Sequence, residues 1–220
     1  MKENNIQETV SNNDKTRWGI TLAIGMLVLF WRIILPSNVE ITIAIIVLVV
    51  LLDVILTVAV VFLNKTELMD AWKQKFTFKI PLKAVLFVVI DFVLTTGIIV
   101  VITLSGIVLE DAPASLIATE FGAIFPLGAF ITVVILAPVW EEIVFRMAGR
   151  NFFKNPIIFV IITACMFAFI HTVNFGTGNI FYLISGVIYG IGYLIFKDIR
   201  IMIIAHFIWN LIIGMGMLLG

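Results

Sequence analysis

The chain alternates long apolar runs with short polar breaks. The runs cover about Trp18–Leu35, Ile41–Leu63, Ile80–Leu104, Ile124 through Glu142 and beyond, Ile157–His171, Ile180–Phe196 and Ile201–Leu219. A helix needs about 20 apolar residues to cross the hydrocarbon core, so the pattern predicts an all-α, polytopic transmembrane bundle of about seven spans. The stretch from Ser105 to Phe125 leaves room for an eighth or re-entrant segment; up to Glu120 it carries Glu110, Asp111 and Glu120 but no Lys or Arg. Pro36 and Pro156 fall at run edges, where a missing N–H and a restricted preceding residue do least harm. Asn64–Lys79, with Lys65, Glu67, Asp70, Lys73, Lys75 and Lys79, is too polar to span and reads as a loop or a short surface helix. Gly186, Gly190 and Gly192 on the sixth run predict close helix packing.

Composition agrees with the pattern. Hydrophobic residues make up 62% and charged residues 13% of the sequence, with a mean hydropathy of +1.18, well outside the balance of a soluble domain. About seven spans of about 20 residues leave no room here for a separate soluble domain. The expected organisation is a polar tail over residues 1–17, then one transmembrane domain over 18–220 with its motif-bearing core at about 124–219. The tail lacks the features of a cleavable signal peptide, so the first run is expected to remain as an anchor. A net charge of zero argues against a nucleic-acid partner. With the N-terminus inside, every basic residue except Arg32 falls on an inner loop or helix end, which predicts a cytoplasmic N-terminus. The single cysteine, Cys165, lies in an apolar run and reads as a packing residue.

Charge inside the apolar runs is where chemistry enters. Glu141 and Glu142 are adjacent, with Arg146 following. An ionised carboxylate near a bilayer centre costs roughly 3 kcal/mol on the most lenient scale. Glu142 and Arg146 are i,i+4 neighbours and can pair. A structural ion pair explains them but leaves Glu141, about 100° away around the helix, unexplained. If the chain turns near Lys154–Pro156, Glu141 and His171 both lie roughly 20 Å from the turn, at 1.5 Å rise per residue. The plain alternative for His171 is a hydrogen-bonded histidine at the outer interface, near Asn174 and Gly176. His206 and Asn210 share one side of the last run at i,i+4 spacing. These are the only two histidines in the chain, and both fall in apolar runs. Asp53, Asp91 and Arg32 also interrupt apolar runs, and read as helix-to-helix pairs or as an ion path.

Such a set suffices for peptide hydrolysis, with a glutamate as general base toward water and imidazole or amide donors toward an oxyanion. A competing construction is a zinc site with Glu141, His171 and His206 as ligands, although no His-Glu-x-x-His pair is present. Serine and cysteine nucleophiles fit less well: Ser105, Ser115 and Ser185 lie in no Gly-x-Ser-x-Gly setting.

Glu141, Glu142 and Arg146, then Phe167 and His171, then His206 and Asn210 resemble the ordered motifs of the CPBP family. These are intramembrane endopeptidases, also called the CAAX protease and bacteriocin-processing (Abi) family. The resemblance covers roughly Ile124–Leu219 and implies hydrolysis of a membrane-associated protein or peptide at or within the bilayer. It implies that Glu141 with His171 activates water, that His206 and Asn210 steady the oxyanion, and that Glu142 and Arg146 support the site. Both metal-dependent and metal-free mechanisms have been argued for the family; a metal-free site is the expectation here, with zinc as the alternative. Eukaryotic members trim prenylated CAAX proteins, whereas small bacterial members are linked to bacteriocin self-immunity, peptide maturation or membrane-protein processing. A Lys-, Asn- and Ile-rich chain suggests a low-GC bacterium and hence its plasma membrane. Two rival readings follow: a non-catalytic immunity or scaffold protein that keeps the motif, and a small transporter using Glu141, Asp53 and Asp91.

Overall fold

The computed structural model describes residues 13–27, 43–109, 126–171 and 176–219, and among them there are helices and turns but no strand. The helices are α1 (13–27), α2 (Ile43–Leu63), α3 (Lys65–Lys73), α4 (Lys79–Leu104), α5 (Pro126–Phe152), α6 (Pro156–His171), α7 (Asn179–Phe196) and α8 (Ile199–Leu219). Of these, α4, α5 and α7 are long and apolar enough to cross a membrane, while Val50–Leu63, α6 and Ile199–Met215 are shorter apolar helices. The sequence pattern therefore located the apolar helices closely, and the polar segment after Leu63 contains the short helix α3. Most of the polar tail, Arg32, Pro36, the acidic stretch with Glu110, Asp111 and Glu120, and Asn174 lie outside the described residues.

The packing has two apolar centres. In one, Trp18 and Leu22 of α1, Val60 of α2 and Leu68 of α3 close around Trp140, Ile143, Val144, Phe145, Met147 and Ala148 of α5, with Phe167 and Ile170 of α6. In the other, Ile80, Ala84, Phe87 and Val88 of α4 meet Ile188 and Tyr189 of α7 and Ile201, Met202 and Ala205 of α8. Much of the outer surface is apolar, as on α2 (Ile55, Val58) and α4 (Val89, Phe92, Val93, Val101), which suits a surface facing lipid. A polar clamp ties α1 to α3 and to the junction before it: Arg17 pairs with Glu67, and Asn64 Nδ2, between α2 and α3, donates to Thr21 Oγ1 at 3.1 Å.

Helix α5 is not a uniform α-helix. It widens to π-helix over Phe130–Leu136 and again over Glu142–Ala148. The first widening runs up to Pro138, which has no N–H to give the turn before it and crowds that turn's carbonyls. Insertions of this kind occur mostly as single turns and are frequent at functional sites.

The glycines of α7 work as the sequence pattern predicts. A Cβ on Gly186 would lie 2.8 Å from Ala164 Cα, and one on Gly192 would lie 2.5 Å from the Phe87 ring. Helix α7 thus approaches the backbone of α6 and a ring of α4 more closely than any side chain would permit. Gly186→Ala is expected to destabilise the protein by about 1–3 kcal/mol, the usual range for overpacking. Gly97→Ala, on an exposed face of α4 with nothing within 4 Å of the added carbon, is expected to be neutral or slightly stabilising. Thermal unfolding of the two variants in one detergent checks the contrast.

Candidate functional site

The two glutamates lie where α5 enters its second π-helical stretch, and every residue from Glu142 to Ala148 is buried. Both glutamates point into the bundle but meet different partners. Glu142 and Arg146 are each 0% exposed, with Arg146 Nε 3.5 Å from Glu142 Oε2. The other carboxylate oxygen of Glu142 accepts a hydrogen bond from His206 Nδ1 at 2.9 Å. The Arg146 guanidinium also lies against two aromatic faces, 5.1 Å from the Phe167 ring centre and 5.7 Å from that of Tyr189. In a dry interior such contacts add to the attraction of the carboxylate. The i,i+4 pair read from the sequence is therefore formed, and Glu142 additionally holds α8.

Glu141 lies between the two histidines. His171 Nε2 is 4.0 Å from its Oε1, and His206 Nε2 is 3.8 Å from its Oε2. These separations are too long for direct hydrogen bonds and suit a bridging water or a reacting group. The orientation of each ring follows from its other nitrogen. His171 Nδ1 faces the Phe167 carbonyl oxygen at 2.8 Å, and because a carbonyl only accepts, Nδ1 carries the proton. That leaves Nε2 as the edge turned toward Glu141. His206 is held likewise, with Nδ1 on Glu142 and Nε2 toward Glu141. The His171 ring is packed between Phe167, at 4.5 Å between centres, and Tyr182, stacked at 4.2 Å. Its side chain keeps 15% exposure against 6% for that of Glu141, so the site opens on the His171 side.

Asn210 has a more specific place than its spacing suggested. Its Nδ2 donates to the Val133 carbonyl oxygen at 2.8 Å. Val133 lies in the first π-helical stretch, five residues before Pro138, so the donor that π spacing would assign to its carbonyl is a nitrogen with no hydrogen. The Asn210 amide gives that carbonyl a donor. Helix α8 is thus bonded to α5 at two points, through His206 and through Asn210.

All the motif residues named from sequence converge: Glu141, Glu142, Arg146, Phe167, His171 and His206 form one cluster, and Asn210 lies one turn beyond His206. Sequence reasoning missed Tyr182 and Tyr189, which pack on His171 and His206; the Tyr189 and His206 ring centres are 5.5 Å apart. A signal was present, since all three tyrosines of the chain fall on α7 at positions 182, 189 and 193, along one helical face. Asp53 is buried on α2 and Asp91 on α4. Among the described residues no group of three or more His, Cys, Asp or Glu side chains is arranged to bind a metal ion.

Residues 123–212 match the family model described as Rce1-like, type II CAAX prenyl endopeptidase Rce1-like. This is less than half of the chain, but it contains every motif residue from Glu141 to Asn210. The chain is also similar to the "UPF0177 protein in abiGi 5'region" of Lactococcus lactis subsp. cremoris, at 45% identity over 49 residues. That alignment takes in 22% of this chain and 21% of the relative, so the chain spans only about a fifth of the length of that curated protein. No solved structure matches the chain. The family match and the lactococcal relative together support the CPBP/Abi family for this chain, with residues 123–212 as its motif-bearing part.

Proposed function

We propose that this protein is an intramembrane endopeptidase that hydrolyses a peptide bond of a membrane-associated protein or peptide, using water activated by Glu141. The observation that carries the reading is the position of Glu141 between two imidazole edges, at 4.0 and 3.8 Å, inside an apolar bundle. A buried carboxylate with a single structural counter-ion would be a scaffold element; one flanked by two oriented imidazoles is equipped for proton transfer. The Rce1-like match supports the same class of activity.

In the proposed sequence, a water held by Glu141 and His171 Nε2 gives a proton to Glu141 as its oxygen attacks the scissile carbonyl carbon. The carbonyl π electrons move to oxygen, and the resulting oxyanion is steadied by His206, when Nε2 carries a proton, and by the second N–H of Asn210. Collapse of the tetrahedral intermediate breaks the C–N bond, and the proton on Glu141 passes to the leaving amine. Water has then been added across the peptide bond with no net change at the protein. Glu142 and Arg146 act on this cycle by holding His206. The set works without a metal ion in this account.

The setting follows from the same features. The long apolar helices suit a bilayer, the basic residues suit a cytoplasmic N-terminus, and the lactococcal relative suits a bacterial plasma membrane.

Glu141→Ala and His171→Ala are each expected to abolish cleavage, by at least ~100-fold for loss of a general base, while the protein reaches the membrane at wild-type levels. Full activity in both variants would end the protease reading. Elemental analysis of the purified active protein is expected to give substoichiometric zinc. One zinc per chain, lost in His206→Ala together with activity, would replace the metal-free mechanism.

A further inference from the structure

Outside the family-matched residues, α4 buries a carboxylate that the mechanism above does not use. Asp91 is 0% exposed. It belongs to the buried face of α4 formed by Ile80, Ala84, Phe87, Val88, Asp91 and Thr95, at helical spacing. That face packs on α7 and α8: the rings of Phe87 and Tyr189 meet edge to face at 5.0 Å, and those of Phe92 and Trp209 are 6.2 Å apart. Tyr189 in turn meets the His206 ring at 5.5 Å. Asp91 is thereby brought to the His206 side of the cluster, on the face of α4 that packs on Tyr189 and α8. Its Oδ1 accepts a hydrogen bond from Thr95 at 3.1 Å, while Oδ2 is buried with no hydrogen-bond partner among the described residues.

An isolated carboxylate in such a place is costly, and a structural one is normally matched by a cation. The nearby guanidinium of Arg146 faces Glu142 through Nε and is covered by Phe167 and Tyr189. The His206 imidazole lies on the same side of the cluster, its ring against Tyr189. Three carboxylates (Glu141, Glu142 and Asp91) therefore share one interior with one guanidinium and two imidazoles. Arg146 offsets much of the field of Glu142, whereas the field of Asp91 is not shared in this way.

We propose that Asp91 is a positioning residue of the site, its Thr95-anchored carboxylate stabilising the positive charge that His206 carries when its Nε2 holds a proton toward the oxyanion. The inference deepens the hydrolase reading and rests on it for its consequence in catalysis, but the coupling of Asp91 to His206 is measurable without any turnover. It also assigns α4, which lies outside the family-matched segment, a part in the chemistry.

The test uses the full-length protein in nanodiscs, labelled with ¹⁵N-histidine; with two histidines in the chain, His171→Ala assigns the spectrum. Asp91→Asn, Asp91→Glu and Thr95→Val are compared with the wild type for ¹⁵N imidazole shifts, kcat, KM and thermal midpoint. Asp91→Asn is expected to move the His206 resonances and leave those of His171 in place. It should lower kcat about tenfold or more with KM unchanged within about twofold, tenfold being 1.36 kcal/mol in the barrier. Asp91→Glu is expected to recover most of both signals, and Thr95→Val to fall between. Unchanged His206 shifts and kcat in Asp91→Asn would overturn the proposal. A loss that Asp91→Glu does not rescue, with both histidines moving and the thermal midpoint falling, would overturn it too, by making Asp91 a packing element. If the wild type cleaves nothing but Asp91→Asn still shifts His206 alone, the protease reading fails and the Asp91–His206 coupling stands.

Discussion

Two adjacent carboxylates inside an apolar bundle impose the constraint around which the rest of this molecule is arranged. Neighbouring positions on a helix point about 100° apart, so one counter-ion cannot serve both. Glu142 takes the cation of its own helix, Arg146, one turn along, and a hydrogen bond from His206 of α8. Glu141, turned aside, meets His171 of α6 and His206 of α8. Compensating the two charges thus draws α6 and α8 onto α5, and α7 follows by closing aromatic rings over Arg146 and both histidines. Breaking a buried pair by removing one partner typically costs about 3–5 kcal/mol, so the arrangement is held together by what its loss would leave uncompensated.

The backbone of α5 takes part in this. The helix widens just before Pro138, which has no N–H to give, and Asn210 donates to the Val133 carbonyl within that stretch. This bond also fixes α8 one turn beyond His206. A second widening begins at Glu142 itself, so the helix is irregular on both sides of Glu141. Irregular turns inside a membrane segment are tolerated where protein groups satisfy the freed backbone, and here the residue that does so belongs to the site.

Much of this was legible in the sequence because hydrocarbon makes charge conspicuous. Each charged residue in an apolar run requires a reason, and i,i+4 arithmetic was enough to pair Glu142 with Arg146. Counting residues from the turn near Lys154–Pro156 placed His171 level with Glu141, and the two lie 4.0 Å apart. The same counting does not place His206 beside them, because distance along one helix says nothing of how that helix leans on its neighbours. The His206–Glu142 bond and the Asn210–Val133 bond were not legible for the same reason: they depend on the relative rotation of α5 and α8. Tyr182 and Tyr189 were passed over because aromatic residues in an apolar run read as packing. Their shared face on α7 acquires meaning only once both histidines are opposite it.

The two glutamates divide the work: Glu142 holds the bundle, and Glu141 has the role in chemistry proposed for it. The thermal unfolding midpoints of Glu141→Gln and Glu142→Gln, measured side by side in one detergent, test this division most directly. Glu142→Gln should unfold at a clearly lower temperature, as expected when the buried Arg146 loses its counter-ion. Glu141→Gln should unfold at or above the wild-type midpoint, as often happens when a charge buried for function rather than stability is removed. The reverse order, with Glu141→Gln the less stable of the two, would contradict the account.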